Sequence, residues 1–131
     1  MPILSLGYLG VRSDRIDDWK YFAGKILAMQ LADRGGRQLS FRMDDLVQRL
    51  VVSDEPGETL AFIGWEVEQK SDLQYFAAKL EAAGHEVSLG DKALADRRFV
   101  TDLIVCHDPA GNRIELIWNP QKADEPFTPG R

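Results

Sequence analysis

Cysteine is almost missing from this chain: Cys106 is the single one in 131 residues. A lone thiol cannot close an internal disulfide, and it suits a reducing compartment, so a cytoplasmic protein is expected. Histidine is nearly as scarce, with only His85 and His107. That leaves no basis for a Ser-His-Asp or Cys-His nucleophile. Long apolar runs are lacking too, and none approaches the roughly 20 residues of a membrane helix. The opening Met1-Pro2-Ile3-Leu4-Ser5 has no basic segment ahead of a long apolar one, so no signal peptide and no membrane partner are expected. Positive charge is in deficit, with 16 Lys and Arg against 21 Asp and Glu, a net −5. Nucleic acid is therefore not an expected partner, because backbone binding needs clustered cations. A small anion held by a local arginine stays open.

What is present suits a soluble globular domain. Hydrophobic residues make up 44% and charged residues 28%. A compact chain of this size buries roughly two-thirds of the surface exposed when unfolded, so neither disulfide nor metal is needed for folding.

The chain also repeats itself. Gly10 and Gly64 stand 54 positions apart. At that offset Tyr8 meets Phe62, Asp18 meets Asp72, and Tyr21-Phe22-Ala23 meets Tyr75-Phe76-Ala77. Lys25 meets Lys79 and Ile26 meets Leu80. Further on, Val51 meets Val105, Asp54 meets Asp108 and Gly57 meets Gly111, while the stretches between align poorly.

Each half opens on a strand. Leu4, Leu6 and Tyr8 alternate with their neighbours, and residues 60–67 are rich in aromatic and β-branched side chains. A helix follows each. Ile16, Trp19, Ala23, Ile26 and Leu27 recur at helical spacing, with Asp14 as expected N-cap and Asp17 in the first turn. Ser71 and Gln74 have the spacing of a capping box, with Leu73, Phe76, Ala77, Leu80 and Ala83 as the buried stripe and Gly84 as the stop. Short strands are expected at 39–43, 47–52, 86–89, 103–106 and 113–118, with a turn at Asp108-Pro109-Ala110-Gly111-Asn112. Trp19, Trp65 and Trp118 occupy apolar positions suited to core packing. The expected fold is α/β (α+β): two tandem βαβββ modules, about 1–57 and 58–119, in one domain spanning 1–119. Residues 120–131, with Pro120, Pro126, Pro129 and Gly130, are expected to be a linker or extended arm.

The segment Asp108-Pro109-Ala110-Gly111-Asn112-Arg113-Ile114-Glu115-Leu116, beside the repeat, resembles the vicinal oxygen chelate superfamily of glyoxalases, bleomycin-resistance proteins and type I extradiol dioxygenases. The match is to the dioxygenases of the 2,3-dihydroxybiphenyl type. It is carried by Leu6-Gly7-Tyr8-Leu9, Phe41-Arg42-Met43-Asp44-Asp45 with Arg49-Leu50-Val51-Val52, and Leu94 to Arg98 with Val100 to Ile104. Pro126-Phe127-Thr128-Pro129-Gly130 is similar to the linker into their second domain. The resemblance implies a curved mixed sheet and an N-terminal domain. It also implies that ring cleavage by Fe(II) and O₂ belongs to a C-terminal domain not present in this sequence. There the metal sits on two histidines and one glutamate.

By position, the three family ligands map onto Tyr8, Phe62 and Glu115. Only the carboxylate is of ligand type, so no metal, cofactor or catalytic residue is assigned to this chain. Glu115 is expected to be an ordinary partner for a nearby arginine, or half-exposed. Cys106 and His107 are strand neighbours that face opposite ways, so they are not expected to share a ligand. His85 follows Gly84 at a helix end, a loop or dipole position. Arg34-Gly35-Gly36-Arg37 is expected to be a solvated turn, and Asp96-Arg97-Arg98 a surface ion pair, although either could meet an anion.

Three functional expectations stay open. The chain is the iron-free, structural and oligomer-forming domain of an extradiol dioxygenase, with a second such domain as partner. It is a metal-free dimeric binding module for an aromatic small molecule. Or it is a stand-alone metal-dependent glyoxalase or dioxygenase.

Overall fold

The computed structural model describes residues 3–32, 38–57 and 59–130. Arg34 to Arg37 lie outside them. The described residues form two compact units. One draws on residues 8–61 and 122–131, the other on residues 1–7 and 62–121.

In the unit of residues 8–61, strand β1 (Ile3–Arg12) leads to helix α1 (Ile16–Tyr21), which runs on as a π-helical turn, Phe22–Ile26. Strands β2 (Gln30–Ala32), β3 (Gln38–Arg42) and β4 (Leu50–Ser53) follow. The strand order is β2-β3-β4-β1, with β1 and β4 parallel and the other pairs antiparallel. Strand periodicity puts Leu39, Phe41, Leu50 and Val52 on one face. They pack with Ala23, and Leu9, Val11, Ile16, Trp19 and Met29 close around them. Burying each of the larger side chains contributes about 1.5–3 kcal/mol. The opposite face carries Tyr8, Ser40, Arg42 and Val51, all buried. The Ser40 hydroxyl donates to Gln48 Oε1 at 2.8 Å.

Two helix expectations need correction here. The N-cap is Arg15, not Asp14, with Asp17 and Asp18 in the first turn. Ile26 and Leu27 do not join Ala23 in the core: they are 57% and 47% exposed. The wider π turn, in which the Leu27 N–H reaches back to Phe22 O, rotates them off the apolar face.

In the second unit, β5 (Leu60–Val67) leads to α2 (Lys70–Ala82), β6 (Ser88–Leu89), α3 (Lys92–Arg98), β7 (Val100–His107) and β8 (Arg113–Pro120). The order is β6-β7-β8-β5, with β5 and β8 parallel. This is the same βαβββ plan with α3 added. Val67, Leu73, Ile104 and Leu116 form the core under α2, with Trp65, Phe76, Ala77 and Trp118 around them. The helix start differs from the Ser71–Gln74 box. The N-cap is Gln69, whose N–H donates to Asp72 Oδ2 at 2.9 Å. Ala83 is exposed, and Gly84 ends the helix with φ +89°.

The repeat also needs one correction. The offset of 54 holds for the first strand and helix but not for the later strands. Val51 lies opposite Gly10 on β1, and Glu115 lies opposite Gly64 on β5, so Val51 corresponds to Glu115, 64 positions on, rather than to Val105. The cause is α3, inserted between β6 and β7, with no counterpart among the described residues of the first half.

Residues 122–130 lie along the first unit. Lys122 bridges Leu46, and the Ala123 N–H donates to Asp45 O at 2.8 Å. Arg42 Nη2 donates to Glu125 O at 2.9 Å, the Thr128 N–H to Gln30 Oε1 at 2.7 Å, and the Gly130 N–H to Ala28 O at 3.2 Å.

Candidate functional site

The second unit has its chemistry on the sheet face away from α2. Pairing registers place Ser88, Val105, Glu115 and Gly64 in one row across β6, β7, β8 and β5. His107 and Arg113 form the next cross-strand pair. Phe62 lies two residues before Gly64 on β5, and so on the same face.

Glu115 is fully buried and its carboxylate is bound by guanidinium groups on both oxygens. Arg98 Nε donates to Oε1 at 2.8 Å and Arg98 Nη2 to Oε2 at 3.1 Å, a two-pronged pairing. Arg113 Nε donates to Oε2 at 2.9 Å. The Arg98 guanidinium also stacks on the Phe62 ring, 3.7 Å from its centroid. Helix α3 makes this possible. Asp91 caps it through the Leu94 N–H at 2.8 Å, and Phe99 ends it in the left-handed conformation, leaving Arg98 on the last turn over the sheet.

Of the three positions that map to family metal ligands, Glu115 meets the expected arginine but is not half-exposed. Phe62 is buried beneath Arg98 and has no donor atom. Tyr8, in the other unit, is buried at 2% exposure. A carboxylate with both oxygens taken by guanidinium groups, and a phenyl ring where an imidazole would stand, do not fit a ferrous ion. Among the described residues, no three of His, Cys, Asp and Glu are grouped to hold a metal.

The sequence presents Asp96-Arg97-Arg98 as one surface feature, and the structure separates its members. Asp96 pairs with Lys92 in the open, Arg98 turns inward to Glu115, and Arg97 is exposed. The i, i+1 step on a short helix splits adjacent arginines between two environments. A signal for the pairing does exist in the sequence, since Glu115 on an apolar strand demands a cation.

Cys106 is buried, and burial pushes its thiol pKa up, with Asp108 adding to the effect. His107 beside it is exposed, on the opposite face. His85 is exposed as well. The Asp108 carboxyl is held below its ordinary pKa by Asn112, whose side-chain and backbone N–H groups donate to it, as does the backbone of Ala110. Asp44, in the first unit, is lowered by its hydrogen bonds from Arg49.

Comparison with known proteins now places the chain. Residues 6–57 match the family model described as dihydroxybiphenyl dioxygenase BphC D1. A biphenyl-2,3-diol 1,2-dioxygenase of Sphingomonas paucimobilis is 35% identical over 133 residues, covering 100% of this chain and 44% of that protein. A 1,2-dihydroxynaphthalene dioxygenase of Pseudomonas sp. (strain C18) is 35% identical, covering 98% and 43%. The crystal structure of a catechol 2,3-dioxygenase superposes with a TM-score of 0.95 at 35% identity, over 100% of this chain and 47% of that one. The fold is thus the vicinal oxygen chelate fold. Within it, the chain is similar to the N-terminal region of extradiol dioxygenases such as biphenyl-2,3-diol 1,2-dioxygenase. It spans less than half the length of the relatives it matches.

Proposed function

We propose that this chain is the iron-free supporting domain of an extradiol dioxygenase acting on a catechol-type ring, with a structural and oligomer-forming role. Its site holds no cofactor. In this proposal the Fe(II) chemistry lies in a second vicinal oxygen chelate domain, the principal partner. Residues 1–119 act as one domain, and 120–131 are the segment that joins it to that partner.

The observation that carries this is the state of Glu115. Its two oxygens accept three hydrogen bonds from Arg98 and Arg113, so the one carboxylate at a ligand position is already neutralised. Large apolar side chains left in the open support a docking role. Tyr21, Phe22, Ile26 and Leu27 in one unit, and Ile3, Leu4 and Leu6 in the other, are each more than a third exposed. No described helix is long and apolar enough to cross a membrane. With the lone buried thiol, cytoplasmic residence is the natural setting.

The test is anaerobic loading of the chain with Fe(II), followed by metal analysis and assay with 2,3-dihydroxybiphenyl or catechol. The expected result is no retained iron and no coloured ring-cleavage product. One equivalent of iron with turnover would overturn the proposal and make the chain an enzyme in its own right.

A further inference from the structure

Beside the Glu115 cluster the same sheet face opens into a pocket of about 290 Å³. Its lining includes Leu94 and Val105 on the apolar side and Arg97, His107 and Arg113 on the polar side. The elements fix this arrangement. Leu94 and Arg97 are three apart on α3 and share a face. Val105 and His107 alternate onto one face of β7, with Arg113 directly across from His107.

Two guanidinium groups, Arg97 and Arg113, line this pocket in a chain of net −5. Among the described residues, the Arg97 and His107 side chains make no hydrogen bond or ion pair. Arg113 uses only Nε, toward Glu115, and its two terminal nitrogens have no partner among those residues. Three of the nearby carboxylates are committed elsewhere. Glu115 is shared by Arg98 and Arg113, Asp96 pairs with Lys92, and Asp108 is held within its own turn. Asp91 lines the pocket, but one of its oxygens caps α3. Guanidinium donors that no described side chain uses therefore face an open cleft lined in part by apolar side chains. Guanidinium groups bind carboxylates in matched two-pronged geometry.

We infer that this pocket is a binding site for a small organic carboxylate with an apolar body, the carboxylate on Arg97 and Arg113 and the body on Leu94 and Val105. The site does not depend on the role proposed above. Ligand pockets of this size combine an apolar lining with a few convergent polar groups.

The experiment is a titration of the ¹⁵N-labelled chain with sodium benzoate and, separately, sodium acetate, followed by amide shifts. Benzoate should give saturable shifts centred on Gly90, Val105 and His107, with a low-millimolar dissociation constant, and acetate should bind much more weakly. Arg97→Gln, at an exposed position, should leave the fold intact and weaken benzoate about tenfold, the order expected for losing a charge-assisted hydrogen bond. Shifts that fail to saturate, benzoate and acetate binding alike, or undiminished binding by Arg97→Gln would each overturn the inference.

Discussion

At the scale of single residues, Arg98 decides the character of the second unit. Its side chain is 15% exposed, and it both neutralises Glu115 and covers Phe62. Removing one partner of a buried ion pair leaves an uncompensated charge and costs about 3–5 kcal/mol, whereas replacing both with apolar groups is often neutral. Arg113 stays close to Glu115 and offsets part of that loss. Arg98→Met should therefore lower the melting temperature by roughly 10 °C, and Arg98→Met with Glu115→Leu should recover most of it. Thermal unfolding followed by circular dichroism checks both. A single variant as stable as the parent would show that the pair contributes little.

Glu115 itself is legible in the sequence as the one ligand-type residue at a family position. Its partner is not. Arg97 and Arg98 are adjacent, and only the rotation of α3 over the sheet determines which one turns inward.

At the scale of elements, the segment 122–130 is held by backbone geometry. A Cβ on Gly130 would collide with Gly24 O and lie 2.6 Å from Met29 O, both backbone atoms that cannot move aside cheaply. Gly130→Ala should therefore lift the end of this segment from the first unit. Limited proteolysis should then cut near residues 126–130 faster than in the parent, while strand content stays unchanged. Equal cleavage rates would mean that the docking does not depend on that close approach. The π-helical turn at Phe22–Ile26 is the other element-scale feature. The sequence shows helical spacing through Leu27, and the extra residue per turn leaves no mark in that pattern. Its consequence, the exposure of Ile26 and Leu27, appears only in three dimensions.

At the scale of the molecule, the exposed apolar side chains are the feature that most needs a partner. Ile26 and Leu27 contribute little to the fold, and surface substitutions of this kind usually change stability within about 0.5 kcal/mol. Ile26→Lys with Leu27→Glu should keep the melting temperature and reduce self-association. Light scattering across a concentration series measures the latter. A large drop in melting temperature would place the two side chains in the core instead, and unchanged association would put the sticky surface elsewhere.

The sequence by itself determined the repeated strand–helix–strand plan and most of the later strands, because periodicity and turn chemistry are local properties, but not β2 or α3. It also settled that no histidine stands at Tyr8 or Phe62. Only the tertiary structure decided that Val51 corresponds to Glu115 and not to Val105, because strand register is set by pairing across the sheet and the inserted α3 shifts the numbering. It alone decided that three arginines gather on one face of an acidic chain. Arg97 and Arg98 come from a helix and Arg113 from a strand 15 residues after Arg98, and no local pattern encodes their meeting.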